Sequence, residues 1–154
     1  MSGSTKTIAQ NRKARFNYSI EDSIECGVVL EGTEVKSVKL GNMSFPDAFA
    51  EIIKDEIWVK NWHISEYTFS SIFNHAPDRH KKLLLHKDEI KKLKRKVDEK
   101  GVTLIPLDFY LKNGRVKVTL GLCRGKKHYD KRSDIRERDE NRDMQREFRK
   151  GLQD

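Results

Sequence analysis

Two strand-forming runs, Val102 to Lys112 and Arg115 to Cys123, meet at Asn113-Gly114. Both turn residues tolerate positive φ, which a type I′ turn requires, and the twist of that turn matches the twist of paired strands. No short-range hairpin signal is stronger, so any fold for this chain must contain this hairpin. A second pair precedes it, Phe45 to Lys54 and Glu56 to Ile64, around a turn at Lys54-Asp55-Glu56. In the first run of that pair Ala48, Ala50 and Ile52 share one face, and Phe49, Glu51 and Ile53 share the other. In the second, Trp58, Lys60 and Trp62 alternate with Ile57, Val59 and Asn61.

Cys26 to Leu30 is also rich in strand formers. Helical spacing is clear only in Asp88 to Lys100, where Ile90, Leu93 and Val97 recur among charges and Gly101 ends the pattern. Val35 and Val38 predict a shorter helix within Glu34 to Leu40, stopped by Gly41-Asn42. Residues 65–80 have no periodicity and contain Pro77, which predicts a long loop of the kind that often carries function. Strands joined by short hairpins, with one helix before the last pair, predict a mainly β fold with peripheral helices. An oligonucleotide-binding (OB) type antiparallel β-barrel fits that order. The expected organisation is a flexible N-terminal arm over 1–10, a barrel over 11–123 and a flexible basic tail over 124–154.

The tail differs in character from the rest. Its large apolar side chains are Tyr129, Ile135, Met144, Phe148 and Leu152, and only the last three make a narrow helical stripe. Such a segment is expected to be disordered alone and helical when bound. The alternative is a helix docked on the barrel through Met144 and Phe148.

The chain has 154 residues and a formal charge of +8. The charge is partitioned: residues 1–20 carry +4, 21–78 carry −7, 79–100 carry +6, 101–111 carry −1 and 112–154 carry +6. Basic zones around an acidic segment make a phosphate-facing surface if folding unites them. No apolar run reaches the roughly 18 residues of a membrane span. The absence of an N-terminal apolar region and of a cysteine framework gives an expectation of reducing cytoplasm and no membrane partner.

Enzyme chemistry finds no constellation. His63, His75, His80, His86 and His128 lack paired-ligand spacing, and Cys26 and Cys123 belong to no Cys-x-x-Cys pair. There is no phosphate loop and no Gly-x-Ser-x-Gly elbow. Glu31 and Glu34 suit the start of a helix, where acids favour the dipole. The expectation is no catalysis, no cofactor and no metal.

Three segments suit RNA. Asn11 to Tyr18 interleaves cations with Phe16 and Tyr18, although those rings could equally begin a core strand. Arg79-His80-Lys81-Lys82 places cations beside Leu83, Leu84 and Leu85, of which two are expected in the core. Arg124 to Arg132 concentrates positive charge at the junction of barrel and tail.

In this order these segments resemble the small protein B family, whose members bind transfer-messenger RNA (tmRNA) in bacterial trans-translation. The matching stretches are Ile8 to Arg15, Ile24 to Ser37, Arg79 to Lys87 and Gly125 to Ile135. The resemblance implies an OB-type barrel that holds the tRNA-like part of tmRNA. It implies a tail that enters the decoding centre and the vacant mRNA channel of a stalled ribosome, so that the ribosome is released and the nascent peptide tagged. By motif match, tmRNA contact falls on Asn11, Arg15, Tyr18, Glu25, Arg79, Lys81, Lys82, Leu84 and Lys117. Ribosome contact falls on Lys126, Lys127, Tyr129, Asp130, Lys131 and Arg132.

Further implied are elongation factor Tu on alanyl-tmRNA as a partner and a monomer when free. Two positions depart from the family pattern. Tyr129 stands where His is frequent, and Lys81 where Arg is frequent, which removes a bidentate fork. Glu25 is unusual on a phosphate-binding surface. It can accept from a base amine or orient a neighbouring cation. The competing class is an OB-fold RNA chaperone or general single-strand binder.

Overall fold

The computed structural model describes residues 5–70 and 73–125. The order of elements is β1 (Thr5–Gln10), α1 (Arg12–Asn17), β2 (Tyr18–Val28), α2 (Gly32–Lys39), β3 (Met43–Ser44), β4 (Phe49–Ile53), β5 (Glu56–Lys60), β6 (His63–Ile64), β7 (Lys81–Leu84), α3 (Lys87–Lys100), β8 (Thr103–Lys112) and β9 (Arg115–Gly125).

β8 and β9 form the expected hairpin, paired from Lys112↔Arg115 to Thr103↔Cys123. Asn113 and Gly114 take φ of 53° and 77°, as a type I′ turn demands. The β4–β5 hairpin is as regular, but its turn is the two residues Lys54 and Asp55, at φ 50° and 62°. All pairs are antiparallel, and the sheet closes as β8-β4-β5-β7-β2-β9 and back to β8. Closure removes the free edges that an open sheet would expose. The fold is therefore a mainly β, ring-like antiparallel sheet with helices outside it.

Inside lie Cys26, Ile57, Val59, Trp62, Ile64, Leu83, Phe109, Val118 and Leu120, each nearly inaccessible. Each large apolar side chain buried there contributes about 1.5–3 kcal/mol. α3 adds Ile90 and Leu93, with Val97 packed against them, and Gly101 ends it in the left-handed conformation.

Several expectations are corrected. Residues 5–10 are not a loose arm: they pair with β8 from Thr5↔Lys112 to Gln10↔Asp108. Of the two rings that could begin a strand, Tyr18 does so as the first residue of β2, whereas Phe16 lies in α1, a helix that the Asn11 side chain caps by accepting from Ala14 N–H at 3.0 Å. The alternation of Ile57 to Trp62 breaks at Asn61. That residue sits at φ 61°, a conformation Asn tolerates, and the break turns Trp62 into the core against Phe109. The short β3–β6 pair carried no sequence signal. Its two residues per strand are too few to show a period.

A second, smaller cluster lies under α1. Ala14 covers Ile105, Leu107 and Cys123, with Tyr18 and Ile20 alongside. The cause is a register shift in β8 between Pro106 and Asp108. Buried residues run consecutively from Leu104 to Leu107 there, since the bulge re-aims a side chain. Asn11 satisfies the bulge: its N–H donates to the Leu107 carbonyl at 2.7 Å and its side-chain amide to the Pro106 carbonyl at 3.0 Å. Opposite, Gly121 leaves room for Leu107, whose Cγ would stand 2.8 Å from a Cβ built at that glycine.

Candidate RNA-binding surface

The register of the closed sheet brings distant residues into rows. Leu84 on β7 pairs with Gly27 on β2, Gly27 with Lys117 on β9, and Lys117 with Tyr110 on β8. Directly paired residues point to the same side of a sheet. Leu84, Lys117 and Tyr110 therefore share the outer face, and Gly27 leaves a gap among them. A Cβ at Gly27 would lie 3.3 Å from Leu84 Cβ and 3.7 Å from the Lys117 ammonium. Leu84 is 50% exposed, whereas Leu83 is buried and Leu85 half-buried, so one of the three leucines stands out from the surface. With Leu30, Val35 and Arg115, the row's Leu84, Gly27 and Lys117 line a groove of about 280 Å³.

One step along the sheet is a second row, Asp108, Thr119 and Glu25. Glu25 accepts from the Tyr110 hydroxyl at 2.5 Å and from the Lys112 ammonium at 3.3 Å. The Tyr110 hydrogen bond, helped by Lys112 and the charge on Lys117, holds the Glu25 carboxyl below its usual range. Burial, and then Glu25 itself, pushes the Tyr110 phenol up to about 12. The pair is thus an ionised carboxylate and a neutral phenol at neutral pH. Arg15 reaches this row from α1 through an ion pair with Asp108 at 2.9 Å. Lys82, two residues before Leu84 on β7, lies 3.5 Å from Glu56. Arg15, Glu25, Lys82, Leu84 and Lys117 therefore belong to one outer face of β2, β7, β8 and β9. This unites cations from three of the basic zones with one apolar knob and one carboxylate. Cations neutralise phosphates without reading sequence, and the knob and carboxylate can contact a base.

Other expected residues act differently. Lys81 does not reach the surface. It is fully buried, and its ammonium donates to the carbonyls of Trp62 and, at 3.2 Å, Pro77. Burial lowers its pKa to about 8. As the paired neighbour of Val59 on β5, Lys81 points inward, so its ammonium is not on the outer face where the expected RNA contact would lie. Arg79 is partly exposed but engaged: its guanidinium spans both oxygens of the buried Glu34 and donates to the Val29 carbonyl at 3.2 Å. Asn11 is 4% exposed and occupied with the cap and the bulge, so its part is to build the surface from below. Tyr18, half-buried against the small cluster, borders a cleft of about 520 Å³ with Lys13, Asn17, Phe49 and Gly125.

Tyr110, Lys112, Gly27 and Arg115 were missed by sequence reasoning. Tyr110 and Lys112 share the alternation of Asp108 along β8, and a glycine within a strand marks close approach. Lys126, Lys127, Tyr129, Asp130, Lys131 and Arg132 lie outside the described residues, as does the expected tail helix. His75 is buried and satisfied: its Nε2 donates to the Ile64 carbonyl at 2.8 Å, and its Nδ1 accepts from the Thr33 hydroxyl at 2.9 Å. Among the described residues no group of His, Cys, Asp and Glu is placed to hold a metal ion. Among the described residues no helix is long and apolar enough to cross a membrane.

The model of the SmpB protein family matches residues 8–150. The chain belongs to the SmpB family. An SsrA-binding protein of Treponema denticola is 68% identical over 144 residues, covering 94% of each chain. The SsrA-binding protein of Treponema pallidum is 61% identical over 142 residues, and that of Thermobifida fusca 55% identical over 145 residues, with at least 91% of either chain covered. A solved SmpB structure, described as "tmRNA-SmpB: a journey to the center of the bacterial ribosome", matches with a TM-score of 0.66 at 44% identity. It covers 79% of this chain and 86% of its own. The SmpB barrel is thus the frame on which the Leu84–Gly27–Lys117–Tyr110 row stands.

Proposed function

We propose that this SmpB-family protein binds the tRNA-like domain of tmRNA and delivers it to stalled ribosomes for trans-translation, which rescues the ribosome and tags the nascent peptide. Family membership over nearly the whole chain and the likeness to an SmpB studied with tmRNA and the ribosome support this reading. The observation that carries the RNA contact is the exposed Leu84 beside Gly27 and Lys117, with Glu25 held ionised next to it. Lys82, Lys117 and Arg15 supply phosphate contacts, and Leu84 packs on a base. Glu25 adds selectivity, since an ionised carboxylate accepts from base amines and repels phosphates. Asn11, Arg79 and Lys81 hold this surface in shape.

In the same reading Lys126, Lys127, Tyr129, Asp130, Lys131 and Arg132 act at the decoding centre, and the following tail acts in the empty mRNA channel. Elongation factor Tu on alanyl-tmRNA is a further partner, the free protein is a monomer, and the site of action is the cytoplasm. The protein contributes binding and positioning, with no catalysis of its own. The test is competition binding of labelled tmRNA acceptor arm against tRNA and single-stranded RNA at physiological salt. Preference for the tRNA-like fold is expected. Equal affinity for unstructured RNA would favour the general RNA binder instead.

A further inference from the structure

The loop over 65–80 has its own organisation, and the RNA-binding groove does not include it. Asn74 clamps it at two points: its side-chain oxygen accepts from Tyr67 N–H at 3.1 Å and its amide donates to the Tyr67 carbonyl at 2.9 Å. The Ser70 hydroxyl donates to the Phe73 carbonyl at 2.8 Å. The clamp holds Phe69 and Phe73 outward at 79% and 85% exposure, the most exposed of the large apolar side chains described. Burial would gain about 1.5–3 kcal/mol for each ring, so a fold that presents both to solvent leaves them for something else. Tyr67 meets Phe69 edge-on at 5.4 Å, and the Lys36 ammonium lies 5.4 Å from the centre of the Tyr67 ring.

The neighbourhood shows what they would meet. Lys36 belongs to α2, whose preceding residue Val35 lines the groove with Leu84 and Lys117. α2 therefore joins the groove to the loop. Lys36 and Lys39, three apart on α2, are both exposed. A ring cluster with the Lys36 ammonium beside it, continuous through α2 with a cationic groove, fits unpaired nucleotides: bases stack on ring faces while a phosphate lies on the lysine. An apolar protein partner would gain nothing from the lysines.

We propose that Phe69 and Phe73 form a stacking platform for unpaired bases of the same tmRNA that occupies the groove, with Lys36 holding the intervening backbone. This rests on the tmRNA-binding reading and extends its footprint across α2.

The test is tmRNA binding by the full chain carrying Phe69→Ser and Phe73→Ser, with thermal melting to show that these exposed substitutions leave the fold intact. Affinity is expected to fall by about tenfold or more, given the usual contribution of base–ring stacking. The salt dependence should keep its slope, because no charge is lost. Lys36→Ala should instead reduce that slope by about one. Phe69→Trp should retain affinity and show fluorescence quenching on tmRNA addition beyond that of the unsubstituted chain. Unchanged affinity of the double variant, or a Phe69→Trp signal insensitive to tmRNA, overturns the platform. Leu84→Ser is measured in parallel. If it weakens binding while the loop variants do not, the groove stands and the platform falls. If neither matters, the tmRNA-binding reading falls with it.

Discussion

Arg79 and Glu34, 45 residues apart in the chain, form a two-point ion pair whose carboxylate is fully buried at the start of α2. One Glu34 oxygen also accepts from Glu31 N–H at 2.8 Å, so the same group caps the helix and anchors the strand-entry segment before β7. Removing only the cation leaves an uncompensated buried charge. Arg79→Ala is expected to lower stability by about 3–5 kcal/mol. In urea denaturation, Glu34→Gln in the Arg79→Ala background should restore part of the loss. A single-variant loss below about 1 kcal/mol would show that the pair holds nothing together.

Lys81 makes stability depend on pH in a definite direction. The unfolded chain keeps this lysine protonated up to about 10.5, while burial lets the folded chain release the proton near pH 8. Between those values the unfolded state binds more protons, so this residue's contribution to stability rises with pH. The shift corresponds to about 3 kcal/mol over the window. The measurement is the stability of the native protein minus that of Lys81→Met, from pH 7 to 10.5. The difference should grow in favour of lysine, and a flat difference would show that Lys81 titrates normally.

Gly121 faces Leu107 across the β8 bulge with no space for a methyl group. A Cβ there would meet Leu107 Cδ1 and Cγ and stand 3.2 Å from the Cys123 sulfur. Gly121→Ala is expected to cost about 1–3 kcal/mol through overpacking. Adding Leu107→Ala should recover part of it in a double-mutant cycle.

Gly27 separates Leu84 from Lys117 on the proposed RNA face. Gly27→Ala should lower tmRNA affinity about three- to tenfold by crowding Leu84, whose Cβ would lie 3.3 Å from the added methyl, and displacing the knob. Stability should change by less than about 1 kcal/mol, because the added methyl lies on the outer face. Neutralising Lys82 and Lys117 should also weaken binding, but with a shallower salt dependence. Equal salt slopes for the two kinds of variant would remove the distinction between shape and charge on this surface.

Lys54 and Asp55 occupy a turn that suits Asn-Gly better, since both have positive φ and both carry a Cβ. Replacing them with Asn and Gly should stabilise the protein by about 0.5–1 kcal/mol without changing tmRNA binding. The check is the thermal midpoint. A lower midpoint would mean that one of the native side chains has an unrecognised stabilising contact.

Local physics was legible in the sequence. The positive φ at Asn113-Gly114 marked the β8–β9 hairpin, the spacing of Ile90, Leu93 and Val97 marked α3, and Gly101 marked its end. These signals depend on neighbours a few residues apart, so they survive without a fold. The −7 segment between basic zones likewise showed that positive charge must converge to matter. The resemblance to the small protein B family rested on collinear motifs and was equally readable.

What the tertiary structure decided was direction and availability. Arg79 and Lys81 look alike in sequence as cations beside a leucine run. Yet one reaches a buried glutamate, and the other points inward to two carbonyls, because strand parity in β7 sends Lys81 in and Leu84 out. The bulge at Leu107, the second cluster under α1 and the Leu84–Gly27–Lys117–Tyr110 row each join segments far apart in the chain. Such pairings depend on the closure and register of the whole sheet, which no local window contains. The sequence alone determined which residue types this protein brings to RNA. Only the folded sheet determined which of them stand on its outer face.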